Sequence, residues 1–471
     1  MNIDITHIYR SLVVHRIDKN KFISLHYILS ASEGYSLIDA SLRTLLLLTR
    51  RTFRSSQDIE HAPSIENCGA VVARKSLDNS TYGEVEFAIP IKYIDESDLI
   101  NNIYLLATSA SEYGYCKDVW LMDIEIPHEL LKNISGPNYG INGIRTKLNI
   151  FERPIVAISL QKIYIGSTLN DLKKFIETCI EGEIDLIVDD IFGFNNKEKF
   201  SIYDKCKLIS EIVNTHNSVS KKKVGYFCYL NSFGKSFEET IFAVKEFNIL
   251  GIIVNPFLMS YGFLNSHLKI NFEENNQPVM ICTNMGSSMI GRNPLDENLS
   301  SSTEDIELSR TGVSEVITAK LSRFIGADAI HIGTAGAECW HPTEFNMTPK
   351  VLTEDFHHIK PSMSIAEGDL PISELGSNLH YLGNDVIFEI SSGIGLHSLG
   401  IHSGCQAYKL AIEFLDKDMT EKEYEATLLY LNRKFSCVKE ALKSENWKPK
   451  KIEIGHAKQI LLDSKWAERF K

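Results

Sequence analysis

Between residues 155 and 415 the chain alternates short apolar runs with amphipathic stretches, and this alternation restricts its fold more than any other feature. The runs are VAISLQ (156–161), IDLIVD (184–189), VGYFCYL (224–230), GIIVNP (251–256), VMICT (279–283), DAIHI (328–332), MSIA (363–366) and VIFEIS (386–391). Each has the length of a strand and is rich in β-branched side chains, the pattern of parallel strands covered on both faces. Between them, segments such as LNDLKKFIETCIEG and SFEETIFAVKEFNI space their apolar residues as helices do. Eight successive strand–helix units predict an α/β fold of the (β/α)8 TIM-barrel type. A doubly wound sheet is the competing arrangement, but neither GxGxxG nor a P-loop follows any of the runs.

The residues before the barrel read differently. FISLHYIL predicts a strand, SLIDASLRTLLLLTRRTF a helix with an apolar stripe, and VEFAIPIKYI and IYLLATSA further strands. One helix among several strands predicts a small α+β (ferredoxin-like) domain over 1–150, closed by VWLMDIEIPHELLKNISGP. The barrel then occupies 151–415. A helical tail over 416–471 contains MTEKEYEATLLYLNRKFSCVKEAL, a Lys/Pro break and a last helix, and either caps the barrel or serves as a docking element.

Charge narrows the partners. The formal net charge is -12, and the basic runs KKK (221–223) and KPKK (448–451) are short. Nucleic acid and anionic lipid both need clustered Lys and Arg, so neither is expected. No segment approaches the ~18 apolar residues of a membrane span, and a soluble cytoplasmic protein is expected. The nine cysteines are scattered without a CxxC pair, which predicts core thiols in a reducing compartment instead of a zinc cluster or disulfide framework.

Four segments, in order, resemble the RuBisCO large chain and its RuBisCO-like relatives. SGPNYGINGIRTKLNIFERPIVAISLQKIYIGST (135–168) is similar to the stretch entering the family's first barrel strand. YLNSFGKSFEETIFAVKEFNILG (229–251) is similar to its third strand and helix. GADAIHIGTAG (326–336) matches the sixth strand, and FEISSGIGLHSLGIHSGCQAYKLAIE (388–413) the eighth strand, its glycine-rich turn and the last helix. The resemblance implies an N-terminal α+β domain followed by a barrel with its site at the C-terminal mouth. It also implies a homodimer, each mouth completed by the N-terminal domain of the neighbouring subunit.

What the resemblance implies about chemistry is a loss. The family holds Mg²⁺ on a carbamylated Lys, an Asp and a Glu in a KDDE motif after the second strand, where this chain has Val188, Asp189, Asp190 and Ile191. Only Asp190 matches a metal ligand, and one carboxylate cannot fill an octahedral hard-cation site. No cofactor, no bound Mg²⁺ and no carbamylated Lys are therefore expected, with recruitment of Mg²⁺ by Asp189 and Asp190 in another manner as the alternative. Cys282 and Thr283 stand where the fifth strand carries His-Arg, and Glu338 where the sixth loop of a carboxylase carries its Lys. Ala366, Glu367 and Gly368 replace Ser-Gly-Gly, and Ser391, Ser392 and Gly393 replace Gly-Gly-Gly. Small residues there still offer backbone N–H groups to an anion, so the expected substrate is a small molecule with at most one phosphate.

Lys162 matches the family's base after the first strand, where it would take a proton from carbon or form a Schiff base; pairing with Asp190 is its structural alternative. Asn231 and His331 match polar residues of the family mouth, and His397 the histidine of the glycine-rich turn. Tyr164 replaces a second Lys and reads as packing. Cys282 would face the mouth, though a core thiol is the safer reading. The expectation is a lyase or isomerase working by enolisation, tautomerisation or retro-aldol chemistry, with Lys162, Asp190, Asn231 and His331 catalytic. Thr283, Glu338, Glu367, Gly368, Ser391, Ser392, Gly393 and His397 would bind substrate. A catalytically inactive binding or scaffold protein is the competing expectation, and a CO₂-fixing carboxylase is not expected.

Overall fold

The computed structural model describes residues 5–50, 63–73, 77, 80–161, 168–190, 201–230, 235–268, 270–272, 276–290, 311–335, 347–368 and 370–470. In the N-terminal region, strands β1 (Val13–Val14), β2 (Phe22–Ala31), β3 (Ala70–Val72), β4 (Tyr82–Pro90) and β5 (Cys116–Glu125) lie in the order β1-β3-β4-β2-β5. The long strand β2 is antiparallel to both β4 and β5. The helix Leu37–Arg50 buries Leu37, Leu42, Leu45 and Leu46 in the same core as Leu25, Tyr27 and Phe87 of the sheet.

IYLLATSA, expected to be a strand, is instead the second half of the helix Leu99–Thr108 and the turn that follows it. The reason lies just upstream. Leu99, Ile100, Ile103 and Ala107 are the buried residues, a helical spacing that the eight-residue window cuts in half. The hydroxyls of Thr108 and Ser109 donate to the Tyr104 and Leu105 carbonyls and so close the helix end.

All eight barrel strands form where the apolar runs predict them. They are β6 (Ile155–Leu160), β7 (Leu186–Asp189), β8 (Gly225–Tyr229), β9 (Gly251–Val254), β10 (Val279–Cys282), β12 (Ala329–His331), β13 (Met363–Gly368) and β14 (Val386–Ile390). Every pairing is parallel, and β14 returns to β6 to close the ring. The interior is packed with Ile155, Ala157, Leu186, Val188, Phe227, Ile253, Val279, Ile281, Ala329, Met363, Ile365 and Ile387. Gly251 makes room for the Phe227 ring, since a Cβ there would fall 2.1 Å from Cε1.

A helix at Gly140–Leu148 plugs the barrel's N-terminal end, its Ile141, Ile144 and Leu148 joining the interior cluster. Asp328 fixes its entry by accepting the amides of Tyr139 and Gly140, both at 2.7 Å, and that of Met280 at 2.9 Å. Arg145 fixes its exit, donating to Asp385 at 2.7 Å and to the carbonyls of Ile150, Arg153 and Asn384. Gly140 has φ +60 and sits so close that a Cβ would lie 2.7 Å from the Pro361 carbonyl oxygen, so only glycine suits the position.

Two features bind the remaining parts to the barrel. A short strand β11 (Gly312–Val313), from the connection after β10, pairs in parallel with Trp120 and Leu121 and extends the N-terminal sheet. The tail forms helices Glu421–Lys434, Ser436–Ser444 and Ala457–Asp463. Its Glu445 accepts the amides of Ile372 and Ser373, and Tyr424 donates to the Ile372 carbonyl at 2.8 Å. The tail is thereby docked on its own barrel.

Candidate active site

Side chains alternate along a strand, so the inward faces that carry the apolar interior continue, two residues on, into the C-terminal mouth. At that level β12, β13, β14, β6 and the end of β7 present His331, Glu367, Glu389, Ser159 and Asp190. Five neighbouring strands therefore contribute one continuous polar arc. Glu367 and Glu389 are register partners on adjacent parallel strands. Two carboxylates at that separation repel, and burial strengthens the repulsion.

His331 relieves it. The imidazole Nε2 lies 3.0 Å from Glu389 Oε2, and Nδ1 lies 3.7 Å from Glu367 Oε2. Ser159 donates its hydroxyl to the other oxygen of Glu389 in a short hydrogen bond. His331, Glu389 and Ser159 are buried, while Glu367 keeps 26% of its side chain exposed toward the mouth. Burial alone would lower the His331 pKa, but the charges of Glu367 and Glu389 and the hydrogen bond to Glu389 outweigh it and hold the imidazolium up to about 9. Burial, with the nearby charges of Glu389 and Asp190, pushes Glu367 up to about 7 against the pull of His331.

The expected site residues divide among three fates. Lys162, Asn231 and Glu338, with Tyr164 and Ile191, lie outside the described residues. His331, Glu367 and Asp190 come together in the arc. Gly368 follows Glu367 with φ +137, a conformation reserved for glycine. Thr283 is buried at the end of β10, its Oγ1 accepting the Met285 amide at 3.2 Å. Ser391, Ser392 and Gly393 open a four-residue helical turn in which Gly393 packs under Tyr408. The turn's Gly395 and Leu396 amides are spent on the carbonyls of Ser391 and Ser392.

One expected binding residue is corrected, the preferred core-thiol reading of Cys282 holds, and Asp189 turns out to be committed elsewhere. His397 does not serve an anion, because Nε2 bonds the Cys437 carbonyl of the tail at 2.9 Å and Nδ1 accepts the Leu399 amide at 3.2 Å. Both nitrogens hold backbone. Cys282 faces the outer core, where burial pushes its thiol pKa far up although the Ser322 hydroxyl opposes the shift. The eight described cysteines are free and buried. Asp189 points away from the mouth and pairs with the buried Lys205 at 2.6 Å, accepting also from Tyr226 Oη and the Tyr229 amide at 3.0 Å.

Glu389 and Ser159 were not anticipated. The signal for Glu389 was present: a carboxylate inside the five-residue apolar strand VIFEI is buried wherever that strand has both faces covered. Ser159 shares the inward face of Ile155 and Ala157, a parity readable only once the register is known.

A carbamate-held Mg²⁺ does not fit the second strand. Val188 belongs to the packed interior, has no nitrogen to carbamylate, and is followed by an Asp189 committed to Lys205.

No protein-family model matches the chain. A ribulose bisphosphate carboxylase from Archaeoglobus fulgidus is 22% identical over 406 residues, covering 82% of this chain and 87% of that protein. A second, from Thermococcus onnurineus, is 22% identical over 362 residues, covering 73% of this chain and 77% of its own. The chain is a divergent member of the RuBisCO superfamily. The fold agrees throughout. The octameric RuBisCO of Pyrococcus horikoshii matches with a TM-score of 0.78 at 17% identity, over 93% of this chain and 97% of that one. A RuBisCO-like protein (MtnW) from Alicyclobacillus acidocaldarius matches with a TM-score of 0.71 at 18% identity, over 90% and 99%. Within this superfamily barrel, the mouth carries three carboxylates and a histidine where the fold has room for its chemistry.

Proposed function

We propose that this chain is an isomerase or lyase of the RuBisCO superfamily that moves a proton at the carbon beside a carbonyl in a small substrate, and that it does not fix CO₂. The reading rests on the His331–Glu389–Ser159 network with Glu367 beside it. Buried, mutually perturbed ionisable groups cost stability and collect where chemistry is done. His331 would polarise the substrate carbonyl and Glu367 would exchange a proton with the enol oxygen. Lys162 at the end of the first strand would take the carbon-bound proton, or condense with the carbonyl if the bond broken is carbon–carbon. An arc with three carboxylates against one imidazolium repels a bisphosphate. A substrate with no phosphate, or one held at a distance from the arc, suits it. No carbamylated lysine takes part.

A homodimer accompanies this reading, since a relative of this fold from Hyperthermus butylicus is described as dimeric and matches with a TM-score of 0.75 at 20% identity, over 93% of this chain and 99% of that one. A catalytically inactive scaffold is the second reading, favoured by the loss of the carbamate site at Val188. The two separate in a screen of small ketoses and keto acids for solvent-deuterium exchange by mass spectrometry. Exchange that disappears in Lys162→Met, with the fold intact by circular dichroism, supports the enzyme. Exchange surviving that substitution removes Lys162 from the mechanism, and absence of exchange on any carbonyl compound favours the scaffold.

A further inference from the structure

We propose that the barrel mouth binds one divalent transition-metal ion on Nδ1 of His331 and the carboxylate of Glu367, with Glu389 orienting the histidine from behind and Asp190 adding negative charge from the end of β7. The site is new within this chain and lies on β12 and β13, not on the carbamate position. It rests on the proposed function and deepens it: with the ion held, the ion would polarise the carbonyl in place of His331, and Glu367 would hold the ion instead of exchanging a proton.

The argument starts from one atom. His331 is 1% exposed, yet its Nδ1 has no hydrogen-bond partner among the described residues, while Nε2 is taken by Glu389. Since a carboxylate accepts, Nε2 donates to it, and in the neutral ring the Nδ1 lone pair then points into the arc. What it meets is the Glu367 carboxylate, at 3.7 Å. That gap is too long for a hydrogen bond and matches the spacing of two ligand atoms on one ion. A divalent cation held by both groups would take the place of the proton between them.

The geometry accommodates one. His331, Glu367 and Glu389 can each offer a ligand atom, all within 4.8 Å of one another. With metal–ligand bonds of about 2.0–2.2 Å, two ligand atoms of one ion lie roughly 3–4 Å apart. The charge of Asp190 acts on Glu367 from the end of β7 and adds to the attraction of the mouth for a cation. Glu389 is better suited to a supporting role, because its oxygens are already engaged by His331 Nε2 and the Ser159 hydroxyl. A carboxylate behind a histidine in this manner sets the tautomer and raises the basicity of the ligating nitrogen.

The donor set also selects the metal. One imidazole nitrogen with carboxylate oxygens suits Mn²⁺, Fe²⁺, Co²⁺ or Zn²⁺, whereas Mg²⁺ takes oxygen ligands and retains its water. The open side of the site faces the mouth through Glu367, which leaves positions for water or a substrate oxygen.

The test uses the full chain stripped with chelator and titrated with Co²⁺, Zn²⁺, Mn²⁺ and Mg²⁺. Calorimetry should give one Co²⁺ or Zn²⁺ per chain, with visible Co²⁺ absorption bands of a nitrogen-containing site and at least tenfold weaker Mg²⁺. Glu367→Gln should weaken Co²⁺ binding at least tenfold, as should His331→Ala. Glu389→Gln should weaken it between about ten- and a hundredfold while retaining the bands. Glu367 is partly exposed, so its variant keeps the test decisive if His331→Ala fails to fold. Absence of stoichiometric binding, or binding that neither substitution at Glu367 nor at His331 alters, overturns the site. Binding is read without turnover, so a failure here is separate from a failure of the Lys162 reading: deuterium exchange by the metal-free protein would overturn this site's role and leave that reading standing.

Discussion

Asp189 and Asp190 are the same side chain one peptide apart, and the pleat of β7 sends them to opposite sides of the barrel wall. Asp189 turns outward into the layer of helices, where Lys205 and Tyr226 compensate its buried charge. Asp190 stays with the mouth and perturbs Glu367. Removing one partner of a buried pair leaves an uncompensated charge, so Lys205→Met should cost roughly 3–5 kcal/mol. Asp190→Asn should cost less than Lys205→Met, because it removes a charge that repels Glu367. Urea unfolding of both variants checks the contrast, and equal losses would contradict the opposite orientations. Much of this was legible beforehand. Val188 at the carbamate position, Asp190 as the one retained match and the acid at Glu367 were all visible in the chain. The orientation of Asp189 was not, because its partner lies sixteen residues later on a helix face. Glu389 was overlooked because a strand that reads as apolar invites no search for a charge within it.

At the level of elements, the barrel strands were readable, as were the connecting helices Leu169–Glu181 and Lys235–Glu246, and one N-terminal element was not. Parallel strands covered on both faces announce themselves as apolar runs, and every such run became a strand. IYLLATSA shows the limit of this reasoning. An apolar octet carries strand and helix signals equally until the upstream Leu99 and Ile100 fix the period. The plug helix Gly140–Leu148 depends on a different logic, in which one carboxylate organises three backbone amides. Asp328 is buried and accepts from Tyr139, Gly140 and Met280. In Asp328→Asn an amide nitrogen must face one of those N–H groups, donor against donor. The orphaned amide should cost about 1–3 kcal/mol, read as a lower midpoint in thermal or urea unfolding. Amide hydrogen exchange should quicken first across Gly140–Leu148. Uniform exchange behaviour with an unchanged midpoint would show that the clamp does not hold the plug.

The whole molecule is less divided than its two-part sequence suggests. Strand β11 leaves the barrel after β10 to become the last strand of the N-terminal sheet. Beside it Lys320 of the helix Glu315–Phe324 bonds Asp123 at 2.5 Å and the Ile124 carbonyl at 3.0 Å. The N-terminal sheet is thus fastened to its own barrel along this edge. Large apolar side chains stand exposed on segments that leave the mouth ends of the strands: Leu258 after β9, and Leu396 and Leu399 after β14. The two groups stand four strands apart around the ring, and apolar side chains spread over one end of a barrel are covered by a partner in many assemblies. A second copy satisfies them by symmetry, since an isologous contact uses the same patch twice. Light scattering at micromolar concentration should therefore give about twice the 53.2 kDa of one chain, or a multiple of that dimer. Leu399→Asp combined with Leu258→Asp should shift the mass toward a single chain while leaving the circular dichroism unchanged. A mass near 53.2 kDa for the unmodified protein would remove the dimer from the proposed function. A dimer indifferent to both substitutions would place its interface away from the mouth, leaving each barrel to complete its site from its own residues.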